Sequence, residues 1–190
     1  MPNDAYAITM KMRLLVPAVL SALALALASF QSNSTLRAPY VVPPLTPPKG
    51  EVILFRAFAD GVQIYECVAG GNGPMWAFKG PEADLTDDRS TPIGKHYAGP
   101  TWEASDGSKV VGRVVASVEA SDPSAIPHLL LKAEASEGAG KLSRVRSIQR
   151  LQTIGGRPPR DACTETMLAR EARVPYSATY YFYGDAPSAY

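Results

Sequence analysis

Two histidines, two cysteines and two tryptophans are all that the 190 residues hold of those side chains, and each scarcity excludes something. Cysteines as far apart as Cys67 and Cys163 lack the paired spacing of zinc ligands, so no metal is expected. His96 and His128 do not make the helically spaced pair of a metalloprotease, and there is no G-x-S-x-G nucleophile elbow. A glycine fingerprint between a strand and a helix is missing, as is the strand-helix alternation of a dinucleotide fold; no cofactor is expected. Gly138-Ala139-Gly140-Lys141 is similar to a phosphate loop, but Ala135 stands in for the first glycine and Leu142 for the metal-binding hydroxyl residue. A hairpin loop is the better reading.

Excess charge is lacking too. A cut after Ala28 takes Lys11, Arg13 and Asp4 from 19 basic and 18 acidic residues and leaves 17 of each. A neutral chain has no general means of displacing counterions, so no nucleic-acid partner is expected. Long apolar runs are absent except for Leu14 to Leu27, broken by Pro17 and Ser21, preceded by Lys11 and Arg13, and ending in the small-residue stretch Ala26-Leu27-Ala28. The run is shorter than the ~20 residues a membrane span needs. Residues 1–28 therefore read as a cleaved signal peptide rather than an anchor, with Met10 and Met12 as alternative starts. The mature product is expected to be exported, periplasmic or extracellular, and not membrane-spanning.

Residues 29–50 carry Pro39, Pro43, Pro44, Pro47 and Pro48, which cannot donate a regular hydrogen-bond ladder, and read as an exposed linker. Residues 51–190 suit one domain. Glu51 to Ala59 and Val62 to Ala69 flank Asp60-Gly61, a strong hairpin signal. That hairpin puts Ile53, Phe55, Ala57, Ala59, Val62, Ile64 and Val68 on the core face and Gln63 and Tyr65 on the other. Asp106-Gly107 separates Thr101 to Ser105 from the alternating Ser108 to Ala120 in the same way, so Asp106 reads as turn chemistry.

His128 to Ser136 and Tyr176 to Tyr183 read as strands. Lys141 to Thr153 is open between helix and strand, since Leu142, Val145, Ile148 and Leu151 recur every third residue. Arg144, Arg146, Arg150, Arg157 and Arg160 suggest either a cationic groove or, more simply, a solvated face. Cys163 to Arg173 has room for one short helix stopped by Pro175. The fold class is all-β: an antiparallel sandwich or barrel-like domain with at most one or two short helices. An exported chain meets an oxidising compartment, which favours a Cys67–Cys163 disulfide over two separate buried thiols.

Five blocks in order, GVQIYEC at 61–67, WAFKGPEADL at 76–85, IGKHYAGPTWEASDGSKVVG at 93–112, SIQRLQTIGG at 147–156 and VPYSATYYFY at 174–183, resemble the domain of unknown function 3455 family of exported bacterial proteins with fungal relatives. The resemblance implies a β-rich domain and a recurring cysteine pair at Cys67 and Cys163. It implies no established activity. His128 stands where the family carries tryptophan, which makes it a packing substitution and leaves His96 as the histidine of interest.

Three functional readings follow. The first is a noncatalytic binding module for a small molecule or an envelope partner, its pocket lined by Gln63, Tyr65, Trp76, His96, Tyr97, Trp102, Gln149 and Arg150; aromatic walls with a few convergent polar groups are what such a pocket needs. The second is a hydrolase or lyase in which His96 is general base with Glu103 or Glu82 as partner, because imidazole titrates near neutrality. A triad of Ser108, His96 and Glu103 is a remoter version of it. The third is an envelope interaction protein without a pocket.

Overall fold

A computed structural model describes residues 36–37 and 41–186. The signal peptide reading and residues 29–35 and 38–40 of the linker lie outside the described residues. Eight antiparallel strands follow one another in space as they do in sequence: β1 (Glu51–Gly70), β2 (Gly73–Thr86), β3 (Pro92–Tyr97), β4 (Thr101–Ala104), β5 (Lys109–Val118), β6 (His128–Glu137), β7 (Ser147–Gly155) and β8 (Glu171–Asp185). β1 pairs with β2 on one side and β8 on the other, which closes the sheet into a barrel. Closure removes both sheet edges.

The all-β reading stands, and the barrel is the form it takes. Most described residues of the linker are exposed, but Pro43–Leu45 forms a short 3-10 turn, and Leu45 is buried against Leu130, Leu151, Tyr181 and Tyr183 on the outer surface of the barrel.

The Asp60-Gly61 hairpin does not form. Both residues sit inside the 20-residue β1, in register with Asp84 and Ala83 of β2. Gly61 serves close approach rather than a turn: a Cβ there would run into the Glu82 carbonyl oxygen and the Ala83 backbone. With no turn at 60–61 the alternation continues unbroken, so Gln63, Tyr65 and Cys67 share the buried inner face with Ala57 and Ala59, not Val62, Ile64 and Val68. At Asp106-Gly107 the turn does form, with Gly107 at φ 84° and Ala104 N–H donating to the Ser108 carbonyl at 2.9 Å.

The helical alternative at 141–153 gives way to β7. Leu142 and Val145 lie in the β6–β7 connection, Ile148 faces the interior, and Leu151 faces the outer cluster around Leu45. The helix expected at 163–173 is only the 3-10 turn Glu165–Met167; the backbone leaves helical geometry at Leu168, Ala169 follows at φ 64°, and β8 has begun by Glu171. Pro175 sits within β8 beyond its last β7 partner, Gly155, where no ladder bond to β7 is required.

Because the strands run up and down, the β1–β2, β3–β4, β5–β6 and β7–β8 connections gather at one end and the other three connections at the opposite end. That second end is closed. Asp106 accepts hydrogen bonds from Ser108 N–H at 2.9 Å, Ser108 Oγ–H at 2.6 Å and Lys141 N–H at 2.7 Å, while Ser108 Oγ accepts from Leu142 N–H at 3.1 Å. Those bonds draw the β6–β7 connection across the end, and Leu142 and Val145 join the core there. Phe55 stacks on Phe182 at 4.4 Å beneath them.

The first end is held differently. The Cys67–Cys163 disulfide joins β1 to the β7–β8 connection, backed by Cys67 N–H to the Arg170 carbonyl and Ala169 N–H to the Cys67 carbonyl, both at 2.9 Å. The bond spans 96 positions; the chain-entropy model gives a loop of that length about 4 to 5 kcal/mol of stabilisation.

Candidate functional site

The open end contains a cavity of about 460 Å³. The interior alternation of each strand supplies its wall: Gln63 and Tyr65 from β1, Pro81 from β2, His96 from β3, Trp102 from β4, Leu129 and Leu131 from β6, Arg150 from β7 and Tyr180 from β8. Ile126 and Pro127, folded inward from the β5–β6 connection, cover part of the opening; the Thr153 hydroxyl holds the Ile126 carbonyl at 2.6 Å. The exposed lining residues, Phe78, Lys79, Gly99 and Val114, mark where the cavity reaches solvent.

At the inner wall an aromatic stack sets the geometry. His96 lies flat on Trp102 with ring centroids 4.4 Å apart, and Tyr180 meets both edge-on at 5.0 and 5.3 Å. The Nδ1–H of His96 donates to the Thr101 carbonyl at 2.8 Å, which leaves Nε2 as an acceptor. Burial pushes the His96 pKa down to about 3, the bond to Thr101 opposing and the Arg150 charge adding to the effect. At neutral pH the ring is uncharged.

Three residues of this wall carry a polar atom, Gln63 Nε2, Trp102 Nε1 and the Tyr180 hydroxyl, that is buried with no hydrogen-bond partner within 3.5 Å among the described residues, and the Tyr176 hydroxyl is in the same position; at longer range Tyr176 faces Tyr180 and Gln63, and Tyr180 faces Arg150. Leaving such a group unpaired costs about 1 to 3 kcal/mol, so their convergence calls for an explanation. Burial raises the pKa of both tyrosines, and both phenols stay protonated as donors. Arg150 donates from Nε at 3.1 Å and Nη2 at 2.9 Å to the Pro127 carbonyl. Its charge is felt at Tyr65, His96, Tyr176 and Tyr180. Among the described residues no Asp or Glu lines the cavity, and no carboxylate lies within 4.0 Å of Arg150.

Five of the eight expected pocket residues therefore meet in one place: Gln63, Tyr65, His96, Trp102 and Arg150. Tyr65 is fixed by its hydroxyl, which donates to the Gly156 carbonyl at 2.7 Å. The other three lie elsewhere. Trp76 donates from Nε1 to the Asp161 carbonyl at 2.9 Å, pinning the β7–β8 connection. Tyr97 points outward to Glu103 at 2.8 Å. Gln149 also faces outward, donating to the Leu45 carbonyl and accepting from the Tyr183 hydroxyl, both at 2.5 Å. It anchors the linker.

The expected catalytic partners do not gather around His96 either. Glu103 is engaged with Tyr97 and Lys109, and Glu82 with Arg173. Ser108 bonds Asp106 at the closed end. The arginines of 144–160 form no single groove, since Arg146 pairs with Asp185, Arg157 with Glu119, and Arg150 lines the cavity. His128 stands outside the lining, in register with Val118 at the start of β6.

Tyr180, Leu129, Leu131 and Phe78 were not foreseen in the lining. The alternation Tyr176, Ala178, Tyr180, Phe182 was a usable signal for the first of these, but Tyr181 and Tyr183 make the opposite face equally aromatic. Among the described residues no cluster of three or more His, Cys, Asp or Glu side chains could hold a metal ion, and no helix is long and apolar enough to cross a membrane.

No curated protein and no solved structure matches the chain. A family model does: residues 47–184, which take in all but the last residue of the barrel, match the protein of unknown function (DUF3455) family, and the chain belongs to that family.

Proposed function

We propose that the protein is an exported, noncatalytic binding module that takes a small molecule into the open half of its barrel. The observation that carries the reading is a cavity of about 460 Å³ with Gln63, Trp102 and Tyr180 in its wall, each holding a buried polar atom that no described residue within 3.5 Å satisfies. Small eight-stranded barrels either fill their interior with side chains or hold one small ligand, and a volume of this order suits the latter. The hydrolase or lyase reading has less behind it. A general base works best with a pKa near the operating pH, whereas burial holds His96 near 3 and its Nδ1–H is committed to Thr101. An envelope partner docking without use of the cavity would leave the unpartnered donors unexplained.

Native mass spectrometry of the purified protein, beside a Leu129→Trp variant whose indole fills the cavity, tests the proposal. Mass retained beyond the wild-type chain, lost on denaturation and missing from the variant, is the expected result. Bare chains for both proteins would contradict it.

A further inference from the structure

The wall chemistry narrows what the cavity accepts. The polar groups of its inner lining are mostly donors: the Gln63 amide, the Trp102 indole N–H, the Tyr180 phenol and the Arg150 guanidinium, which Tyr180 faces, against the single acceptor nitrogen of His96 and the Gln63 carbonyl. Among the described residues Arg150 is the one cation of the inner lining, and no lining carboxylate faces it. Towards solvent the character reverses, with Phe78, Pro100, Val114 and Leu129 offering apolar surface. Lys79, at the rim, is already paired with Glu66 and Glu171.

Building on the binding reading above, we propose that the occupant is an apolar molecule with a single oxyanion head, of which a carboxylate is the simplest, held head-inward by Arg150, Trp102, Gln63 and Tyr180 with its apolar body against Phe78, Val114 and Leu129. One oxyanion group satisfies several donors at once and neutralises Arg150, since charge-assisted bonds to a guanidinium are shorter and stronger than neutral ones. A cation finds no counter-charge on these walls. A polyphosphate brings more charge than one guanidinium can match, and it has no use for the apolar rim.

Two fluorescent probes on the same skeleton separate the parts of the idea: 8-anilinonaphthalene-1-sulfonate carries one oxyanion, and N-phenyl-1-naphthylamine carries none. Each is titrated into wild type, Arg150→Gln, Arg150→Lys and Leu129→Trp, all checked for the wild-type circular dichroism spectrum. The sulfonate should bind wild type at least tenfold more tightly than the amine. Arg150→Gln should remove about tenfold of the sulfonate affinity and leave the amine within twofold, with Arg150→Lys recovering most of the loss. Leu129→Trp should weaken both probes.

Equal affinity for the two probes, unaffected by Arg150→Gln but lost in Leu129→Trp, would overturn the oxyanion proposal and leave the binding cavity standing. Absence of binding by either probe, or binding indifferent to Leu129→Trp, would overturn the cavity reading itself. The wild-type comparison of the two probes decides the head-group question even if a variant fails to fold.

Discussion

The closed and open ends of this barrel are built on the same inward-facing alternation and use it to opposite effect. At the closed end the inner positions are Phe55, Ala57, Leu85, Val110 and Phe182, topped by Leu142 and Val145, and the two polar residues there, Asp106 and Ser108, bond each other and the next connection. At the open end the same strands present Gln63, His96, Trp102 and Tyr180 around a space, with three polar atoms of that set unpartnered. One end is packed for stability. The other carries a polar surface that packing does not satisfy, and it is held in shape by the disulfide and by Trp76 and Tyr65 bonding the β7–β8 connection.

The comparison breaks most visibly at Phe182. Its removal in Phe182→Ala opens a hole under the Phe55 stack and should cost about 3 to 5 kcal/mol, read by urea denaturation. A loss below about 1 kcal/mol would mean that the closed end is not where the stability lies.

Acid sharpens the contrast, because each end has its own titrating group. His96, held near 3, stays neutral in the fold while the unfolded chain takes up its proton near 6.5. Its contribution is complete above about pH 6.5 and is lost as the pH falls towards 3, by up to about 1.4 kcal/mol per pH unit. His128, also lowered by burial, adds to the slope in the same window. Asp106 is an acid held down to about 2, first by its bond from Ser108, against an ordinary 3.8. What it contributes is present above 3.8 and disappears only as the pH falls from there towards 2. Urea denaturation across the pH range should show His96→Gln flattening the slope between pH 6 and 4, and Asp106→Asn flattening it only below 4. No change in slope for His96→Gln would contradict the buried, neutral imidazole.

The smallest effect is expected at Tyr180. Its hydroxyl has no hydrogen-bond partner within 3.5 Å among the described residues, so Tyr180→Phe breaks no close protein hydrogen bond and should shift stability by less than about 1 kcal/mol, in either direction. A loss of 2 kcal/mol or more would show that the hydroxyl is tied into the core after all.

Much of this was legible in the residues, and the failures have physical causes. The strand character of 128–136 and 176–183, the Asp106-Gly107 turn and the cysteine pairing rest on local chemistry and compartment, and the fold carries them. Asp60-Gly61 carries the same turn signal as Asp106-Gly107. What separates the two is pairing over long distances, since β2 and β8 hold residues 58–66 in one unbroken strand. A turn placed there inverts the core face beyond Gly61, although Gln63 and Tyr65 are among the residues the sequence assigns to the pocket. Gln149 and Arg150 are adjacent, so one must face out when the other faces in, and only closure of the barrel decides which. The third-residue repeat of Leu142, Val145, Ile148 and Leu151 turned out to serve three environments, the end cap, the interior and the outer cluster.

The most direct test of the central claim uses the two tryptophans, one at each kind of position. Trp102 Nε1–H lines the cavity unpartnered, while Trp76 Nε1–H already bonds the Asp161 carbonyl outside it. Nitrogen-15 NMR of the purified protein resolves the two indole signals during titration with 8-anilinonaphthalene-1-sulfonate. The cavity account predicts a saturable shift of the Trp102 signal with Trp76 unmoved; a Trp102 signal that stays in place while the probe binds would contradict it.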